Sequence, residues 1–126
     1  MRNEALKPVE WMGSSLKDLI EFPRETRRDV GQSLDEVQRG GVPDNAKPLK
    51  GFGGTSVMEI VESHHGDAYR AVYTVNFGDV VYVLHCFQKK SKRGIETPKE
   101  EIERIEKRLK MAREHYEARL KNEQKK

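Results

Sequence analysis

The sequence of 126 residues contains little of what builds covalent or metal-bound frameworks. A single cysteine, Cys86, excludes an intrachain disulfide and disfavours a cysteine-rich zinc site. One unpaired cysteine also favours a reducing compartment. Hydrophobic residues make up 35% of the chain and aromatic residues 7%, against 36% charged residues, so we expect one thin core under a polar surface.

Long hydrophobic runs are also missing. No apolar stretch approaches the roughly 20 residues that a membrane-spanning helix requires. The first residues, 1–4, lack the apolar region of a secretory signal. We therefore expect a soluble, cytoplasmic protein that does not bind membranes, with residues 1–126 forming a single domain.

Charge is unevenly distributed along the chain. The formal net charge is +3, from 24 Lys and Arg against 21 Asp and Glu. Residues 1–87 hold 10 cations and 13 anions, whereas residues 88–126 hold 14 cations and 8 anions. The resulting −3 and +6 favour a polyanionic partner for the C-terminal third. The alternative is a solvated helix with a basic tail.

The first forty residues predict an edge strand and two helices. Residues 6–11 alternate apolar and polar, and Pro8 restricts such a strand to a sheet edge. A capping-box sequence at residues 15–18 begins a short helix, and Pro23 begins a second one that ends at Gly40. We expect the two helices to form a hairpin. The apolar residues expected to face the core are Leu16, Leu19 and Ile20 in the first helix and Val30, Leu34 and Val37 in the second.

Residues 41–55 carry proline and glycine at both ends, which predicts a loop that crosses to a sheet. Its central part, residues 47–51, could bring positive charge to one side of a groove. Three strands follow at residues 57–63, 68–77 and 80–88, and their short links predict an antiparallel meander.

The clearest element is a long C-terminal helix. Thr97 supplies an N-cap, Pro98 suits the first turn, and Glu100 follows at the third position. Glutamates placed four residues before lysines or arginines support its exposed face. Residues 119–126 are predicted to be a flexible basic tail. The apolar stripe of this helix is Ile102, Ile105, Leu109, Ala112 and Tyr116.

Cations between the last strand and this helix could act on a phosphodiester. Lys89, Lys90, Lys92 and Arg93 lie within five residues, so several can approach one phosphate backbone. Arg70 projects from a strand, and with Lys90 it could stabilise the charge that develops during an in-line attack, without a metal. The alternative is a solubilising loop.

The general base is less defined. His85 alternates with Val83, Phe87 and Lys89, which favours an inward, hydrogen-bonded core histidine over a catalytic one. Adjacent residues in a tight turn point apart, so His64 and His65 are not expected to bind metal, and no cofactor is expected. The titratable candidates for a base are Glu59, His64, His65 and His85.

Taken together, these segments resemble HigB-type toxins of the RelE/ParE superfamily, in its phage-derived branch. The resemblance covers about residues 5–116 and depends on the order and spacing of its pieces. The matching pieces are Leu49-Lys50-Gly51, Glu59, Tyr69-Arg70, residues 84–90, Thr97-Pro98 and Glu100-Glu101.

The resemblance implies an α+β, RelE-like fold and the toxin of a type II toxin-antitoxin system. Such a toxin enters the ribosomal A site and cuts mRNA by metal-independent attack of the 2′-hydroxyl. The implied partners are mRNA, the ribosome and a helix-turn-helix antitoxin, with DNA bound only through the antitoxin complex. On the resemblance, Arg70 matches the arginine that contacts the scissile phosphate, and Lys89 with Lys90 matches the basic pair at the end of the last strand. Together with the candidates identified from the residues themselves, the assignment is Arg70, Lys90 and His85 for catalysis and Lys50, Lys89, Lys92 and Arg93 for RNA binding.

Two other functions stay open. The chain could be a non-catalytic toxin of the ParE type that inhibits DNA gyrase. It could also be an inactive phage-derived relative, which is favoured by Glu59 and Glu62 standing where a second strand cation would be expected.

Overall fold

The computed structural model describes residues 6–53, 56–89 and 97–124, and these form a mixed α+β arrangement. The strands form a five-stranded sheet in the order β1-β5-β4-β3-β2. In chain order, the elements are β1 (Val9–Trp11), α1 (Ser15–Ile20), α2 (Arg24–Gln38), β2 (Ala46–Pro48), β3 (Met58–His64), β4 (Asp67–Thr74), β5 (Val81–Lys89) and α3 (Lys99–Gln124).

The predicted meander is confirmed, because β3, β4 and β5 pair antiparallel in sequence order. A two-residue turn joins β3 to β4, with a φ of 51° at His65 and 86° at Gly66. Two positive φ values suit the tight hairpin turns that match strand twist. The N-terminal strand β1 lies at one edge, as predicted, and runs parallel to β5 with Val9 opposite Val81.

One face of the sheet is covered by α1 and α2, and we call it the α1/α2 face. The predicted stripe of α2 is confirmed, since Val30, Leu34 and Val37 are all buried. The two helices, which were expected to form a hairpin, follow one another directly, and α1 packs on β5 while α2 packs on β3. The buried apolar residues of this face are Leu19, Phe22, Val30, Leu34, Val37, Met58, Ile60, Tyr69, Ala71, Tyr73, Val81, Val83 and Cys86.

The opposite face is covered by the long helix α3, and we call it the α3 face. The predicted stripe of α3 packs here, with Ile105 and Ala112 fully buried. The strands therefore have apolar residues on both faces, and the protein has two cores rather than the single one predicted. The buried residues of the α3 face are Met12, Leu49, Val57, Val72, Val80, Tyr82, Leu84, Phe87, Ile105 and Ala112.

Among the local predictions that were wrong, three concern where elements begin and end. The supposed loop at residues 41–55 contains β2, a three-residue edge strand whose Ala46 pairs with Ile60. The capping box does not form, because Ser15 lies inside the helix and donates its hydroxyl to the carbonyl of Val83. Residues 119–124, expected in the tail, lie within α3.

Among residues 6–53, 56–89 and 97–124, no helix combines the length and apolar character that a membrane span requires.

Candidate functional site

Arg70 lies on the α3 face of the sheet. Its neighbours Tyr69 and Ala71 pack in the opposite core, while Val72 packs under α3, as strand alternation requires. Only 5% of Arg70 is exposed, and its guanidinium forms an ion pair with the buried carboxylate of Glu59 on β3. The predicted face is thus confirmed, but Arg70 is engaged within the protein rather than presented to solvent.

His85 lies on the same face, one strand further along. It pairs with Val72 on β4, and its ring stacks on Phe87 with centroids 4.9 Å apart. The ring is 2% exposed, which confirms the prediction of a core histidine. Its Nε2 lies 2.7 Å from Oε1 of Glu101, and its Nδ1 lies 3.0 Å from Nη1 of Arg108.

These contacts fix the proton on His85. A guanidinium can only donate hydrogen bonds, so Nδ1 of His85 must accept from Arg108 and carry no proton. The single proton of the neutral ring therefore lies on Nε2 and is donated to Glu101. Burial lowers the pKa of His85 from its usual value, although Glu101 opposes this effect. In this arrangement both nitrogens are occupied, so His85 must break a hydrogen bond before it can accept a substrate proton.

The predicted alternation around His85 breaks at one residue. Val72 pairs with His85 and Tyr73 pairs with Val83, so Leu84 is an extra residue on β5. This β-bulge puts Val83 in the core under α1 and α2, so the prediction that Val83 shares a face with His85 was wrong. Phe87 lies with His85 on the α3 face, as predicted. The carbonyl of Leu84 accepts a hydrogen bond of 3.0 Å from Arg108.

Lys89 ends β5 and is 6% exposed. It lies two residues beyond Phe87 and pairs with Ala68, which places it on the α3 face near Arg70. The sheet therefore brings Arg70, His85 and Lys89 to one face. The other predicted cations, Lys90, Lys92 and Arg93, lie outside the described residues.

Lys50 lines a groove of about 360 Å³ beside this face. The groove lies between the β2 edge and the beginning of α3, and Lys47 stands opposite Glu59 in the β2–β3 register. The expectation that residues 47–51 bring positive charge to a groove is therefore confirmed. Its lining residues are Lys47, Pro48, Leu49, Lys50, Glu59, Thr97 and Ile102.

A second cavity, of about 480 Å³, opens where β5 ends. Among the residues that the structure describes, three carboxylates line it, from Asp18, Glu21 and Glu101, together with the cation of Arg104. The charges of these described residues disfavour an anionic ligand, whereas Lys47 and Lys50 favour one in the first groove.

Other candidate chemistry receives no support in the part of the chain that the structure describes. No cluster of three or more metal-ligating side chains occurs there. Burial raises the pKa of the Cys86 thiol to about 12, so this cysteine is not a nucleophile near neutral pH.

The sequence interpretation missed the partners of His85. Glu101 and Arg108 lie seven residues apart on α3, on the helix side that also carries the buried Ile105. Two opposite charges beside the apolar stripe are a sequence signal that α3 makes polar contacts with the sheet. The partner strand residue, however, could not be identified from that spacing.

The described residues define a mixed α+β protein with a long C-terminal helix across a five-stranded sheet. A protein-family model described as "phage derived protein Gp49-like" (DUF891) matches residues 17–110, more than half of the chain. The chain therefore belongs to the Gp49-like family, which is part of the RelE/HigB-like toxin superfamily. A comparison with curated proteins found no match.

Proposed function

We propose that this protein is the toxin of a type II toxin-antitoxin system and cuts mRNA at the ribosome. The carrying observation is that Arg70, His85 and Lys89 share the α3 face, and that Arg70 pairs with Glu59, which lines a groove bordered by two lysines. Cations from several strands can then surround one RNA linkage. Membership of a toxin superfamily supports the same function.

In this proposal Arg70 and Lys90 stabilise the negative charge that develops on the phosphate as the 2′-hydroxyl attacks. Lys50, Lys89, Lys92 and Arg93 hold the RNA backbone, which gives affinity without sequence selection. His85 positions Glu101 and Arg108 in the resting state, and it serves as a base only after its Nδ1 is released by Arg108. A helix-turn-helix antitoxin is the proposed inhibitor.

A specific observation favours a second candidate, a toxin that blocks DNA gyrase or another protein without catalysis. The guanidinium of Arg70 is ion-paired to Glu59, and both ring nitrogens of His85 are bonded. Side chains satisfied in this way stabilise a fold without any substrate.

Induction in cells separates these functions. Under a repressible promoter, the nuclease predicts growth arrest together with new mRNA 5′ ends inside translated regions and upstream fragments ending in 2′,3′-cyclic phosphate. In a purified translation system, cleavage should require ribosomes. Arrest with intact mRNA and inhibited supercoiling would instead establish the gyrase function, and neither effect would mark an inactive relative.

Variants must separate chemistry from folding. Arg70→Ala leaves Glu59 buried without its cation, a change that costs about 3–5 kcal/mol and can abolish activity by unfolding alone. Arg70→Lys keeps a positive charge for Glu59, so we expect folded protein with strongly reduced cleavage. Lys50→Ala should weaken RNA binding, whereas Lys110→Ala, an exposed lysine on α3, is the matched control. Full cleavage by folded Arg70→Lys would contradict the role of Arg70.

A further inference from the structure

The groove between β2 and α3 combines three kinds of wall. Lys47 and Lys50 are exposed cations on its β2 side. Leu49 and Ile102 give it an apolar interior, and both belong to the core under α3. Glu59, whose side chain is 3% exposed and pairs with Arg70 through Oε1, adds a carboxylate. Its volume of about 360 Å³ falls within the range of sites that hold small organic ligands.

This combination fits a nucleotide. A phosphate pairs with the lysines, and a flat base packs against aliphatic side chains, which accept any base face. The carboxylate of Glu59 then determines which base binds. A carboxylate only accepts hydrogen bonds, so it favours a base edge that presents donors.

Guanine is the base with two adjacent donors, N1–H and the N2 amino group, on its Watson–Crick edge. The two oxygens of a carboxylate can accept both. Adenine and cytosine offer one amino group beside an acceptor nitrogen, and uracil offers one N–H between two carbonyls. Guanine is therefore the best match for Glu59, and the other three bases each place an acceptor against it.

Glu59 is held in place from the side of the sheet. It lies opposite Val72 on β4, and the guanidinium of Arg70 two residues away pairs with its Oε1. An ion pair between two buried side chains on neighbouring strands limits the orientations that the carboxylate can adopt. Arg70 is thus a positioning residue for Glu59 in addition to its proposed role at the phosphate.

We propose that this groove is a nucleobase subsite that selects guanosine in the RNA through Glu59, with Lys47 and Lys50 holding the adjacent phosphate. The inference rests on the proposed function for its biological substrate. It goes beyond that function in naming the base that is recognised and the residue that recognises it.

Binding of mononucleotides to the purified, full-length protein tests the subsite without any cleavage. We expect GMP to bind roughly 10-fold more tightly than AMP, CMP or UMP in a calorimetric or NMR titration. Equal affinity for all four nucleotides, or no binding of any, would overturn the proposal.

Substitutions in the groove test which residues bind the phosphate and which select the base. Lys47→Ala should lower the affinity for all four nucleotides alike and leave the ratio of their affinities unchanged. Glu59→Gln should remove the preference for GMP, because an amide presents a donor as well as an acceptor. Glu62→Gln is the matched control on the same strand, since Glu62 bonds to Asn45 away from the groove. If Glu59→Gln proves unfolded by circular dichroism, the nucleotide ranking of the wild-type protein decides the matter alone.

The two proposals fail separately. If the purified protein prefers GMP but mRNA stays intact in induced cells, the subsite is supported and the nuclease assignment is refuted. Ribosome-dependent cutting with no enrichment of guanosine near the cut, and no preference for GMP, would support the nuclease assignment and refute the guanosine subsite.

Discussion

Arg108 donates hydrogen bonds to three acceptors on two separate segments of the chain. Its Nη1 contacts the carbonyl of Leu84 and Nδ1 of His85, and its Nη2 lies 3.1 Å from Oγ of Ser14. Ser14 in turn donates to Asp18 over 2.7 Å. A planar guanidinium suits such divergent contacts, and a lysine could not reproduce them. One α3 side chain therefore joins the helix to β5 and to the beginning of α1.

The buried, neutral state of His85 makes stability depend on pH. In the unfolded chain its pKa is near 6.5, whereas burial lowers it in the folded protein. Between these two values the unfolded chain binds a proton that the folded protein does not. The contribution of His85 is therefore complete above the unfolded pKa and is lost as the pH falls below it.

We expect the free energy of unfolding of the wild-type protein to decrease between about pH 7 and pH 5, and His85→Gln to flatten this dependence. Urea unfolding at several pH values measures both slopes. His115→Gln is the comparison variant for a histidine on the exposed side of α3, where its Nδ1 lies 2.9 Å from the hydroxyl of Tyr82. An unchanged slope in His85→Gln would contradict the assignment of the neutral form.

At the level of single residues, the candidate site was partly predictable from the sequence. Alternation along β4 placed Arg70 on the correct face, because Tyr69 and Ala71 on either side are apolar enough to define the opposite one. Its ion pair with Glu59 was not predictable, since the partner depends on the β3–β4 register, which is set by the turn and by packing.

At the scale of elements, apolar periodicity was reliable where a segment was long. The stripes of α2 and α3 follow the helical period over several turns, and both were correctly identified. The bulge at Leu84 has no sequence signature, because an extra residue in a continuous apolar strand leaves the composition unchanged. The edge strand β2 was missed because it has three residues, of which Pro48 normally marks a loop.

Helix α1 shows how a short element can mislead. Leu16, Leu19 and Ile20 were all predicted to face the core, yet Leu16 is 41% exposed and Ile20 is 53% exposed. Only Leu19 is buried, in contact with the core of the α1/α2 face. A helix of six residues has fewer than two turns, so three apolar positions do not define a face.

This difference predicts contrasting mutations in one helix. Leu19→Ala leaves a cavity in a packed core and should cost about 2–5 kcal/mol of unfolding free energy. Leu16→Ala removes an exposed side chain and should change stability by less than about 0.5 kcal/mol. Urea unfolding of both variants provides the measurement, and equal losses would show that Leu16 is buried in solution.

For the whole molecule, the core on the α3 face exists only while α3 is packed against the sheet. At two glycines the backbone passes directly beneath side chains of this helix. A Cβ at Gly13 would lie 2.5 Å from Nε of Arg108, and a Cβ at Gly78 would lie 2.5 Å from the hydroxyl of Tyr116. Gly78 also has a φ of +62°, which L side chains rarely adopt.

Gly78→Ala should therefore destabilise the protein by at least about 1 kcal/mol, from backbone strain and from displacement of Tyr116. Gly31→Ala is the matched control, because Gly31 lies inside α2 with open space around it. The control should stabilise the protein by about 0.5–1 kcal/mol, since alanine favours a helix. Thermal unfolding of both variants tests this, and a neutral Gly78→Ala would contradict the described packing of α3.

The parallel pairing of β1 with β5 has a consequence for how the chain is made. Residues 9–11 are synthesised some seventy positions before their partners at 81–83. At about 5–20 residues per second, the first strand waits several seconds for the last one to be synthesised. Contacts so distant along the chain slow the search for the native state. The nascent polypeptide therefore cannot close its sheet until β5 has been synthesised.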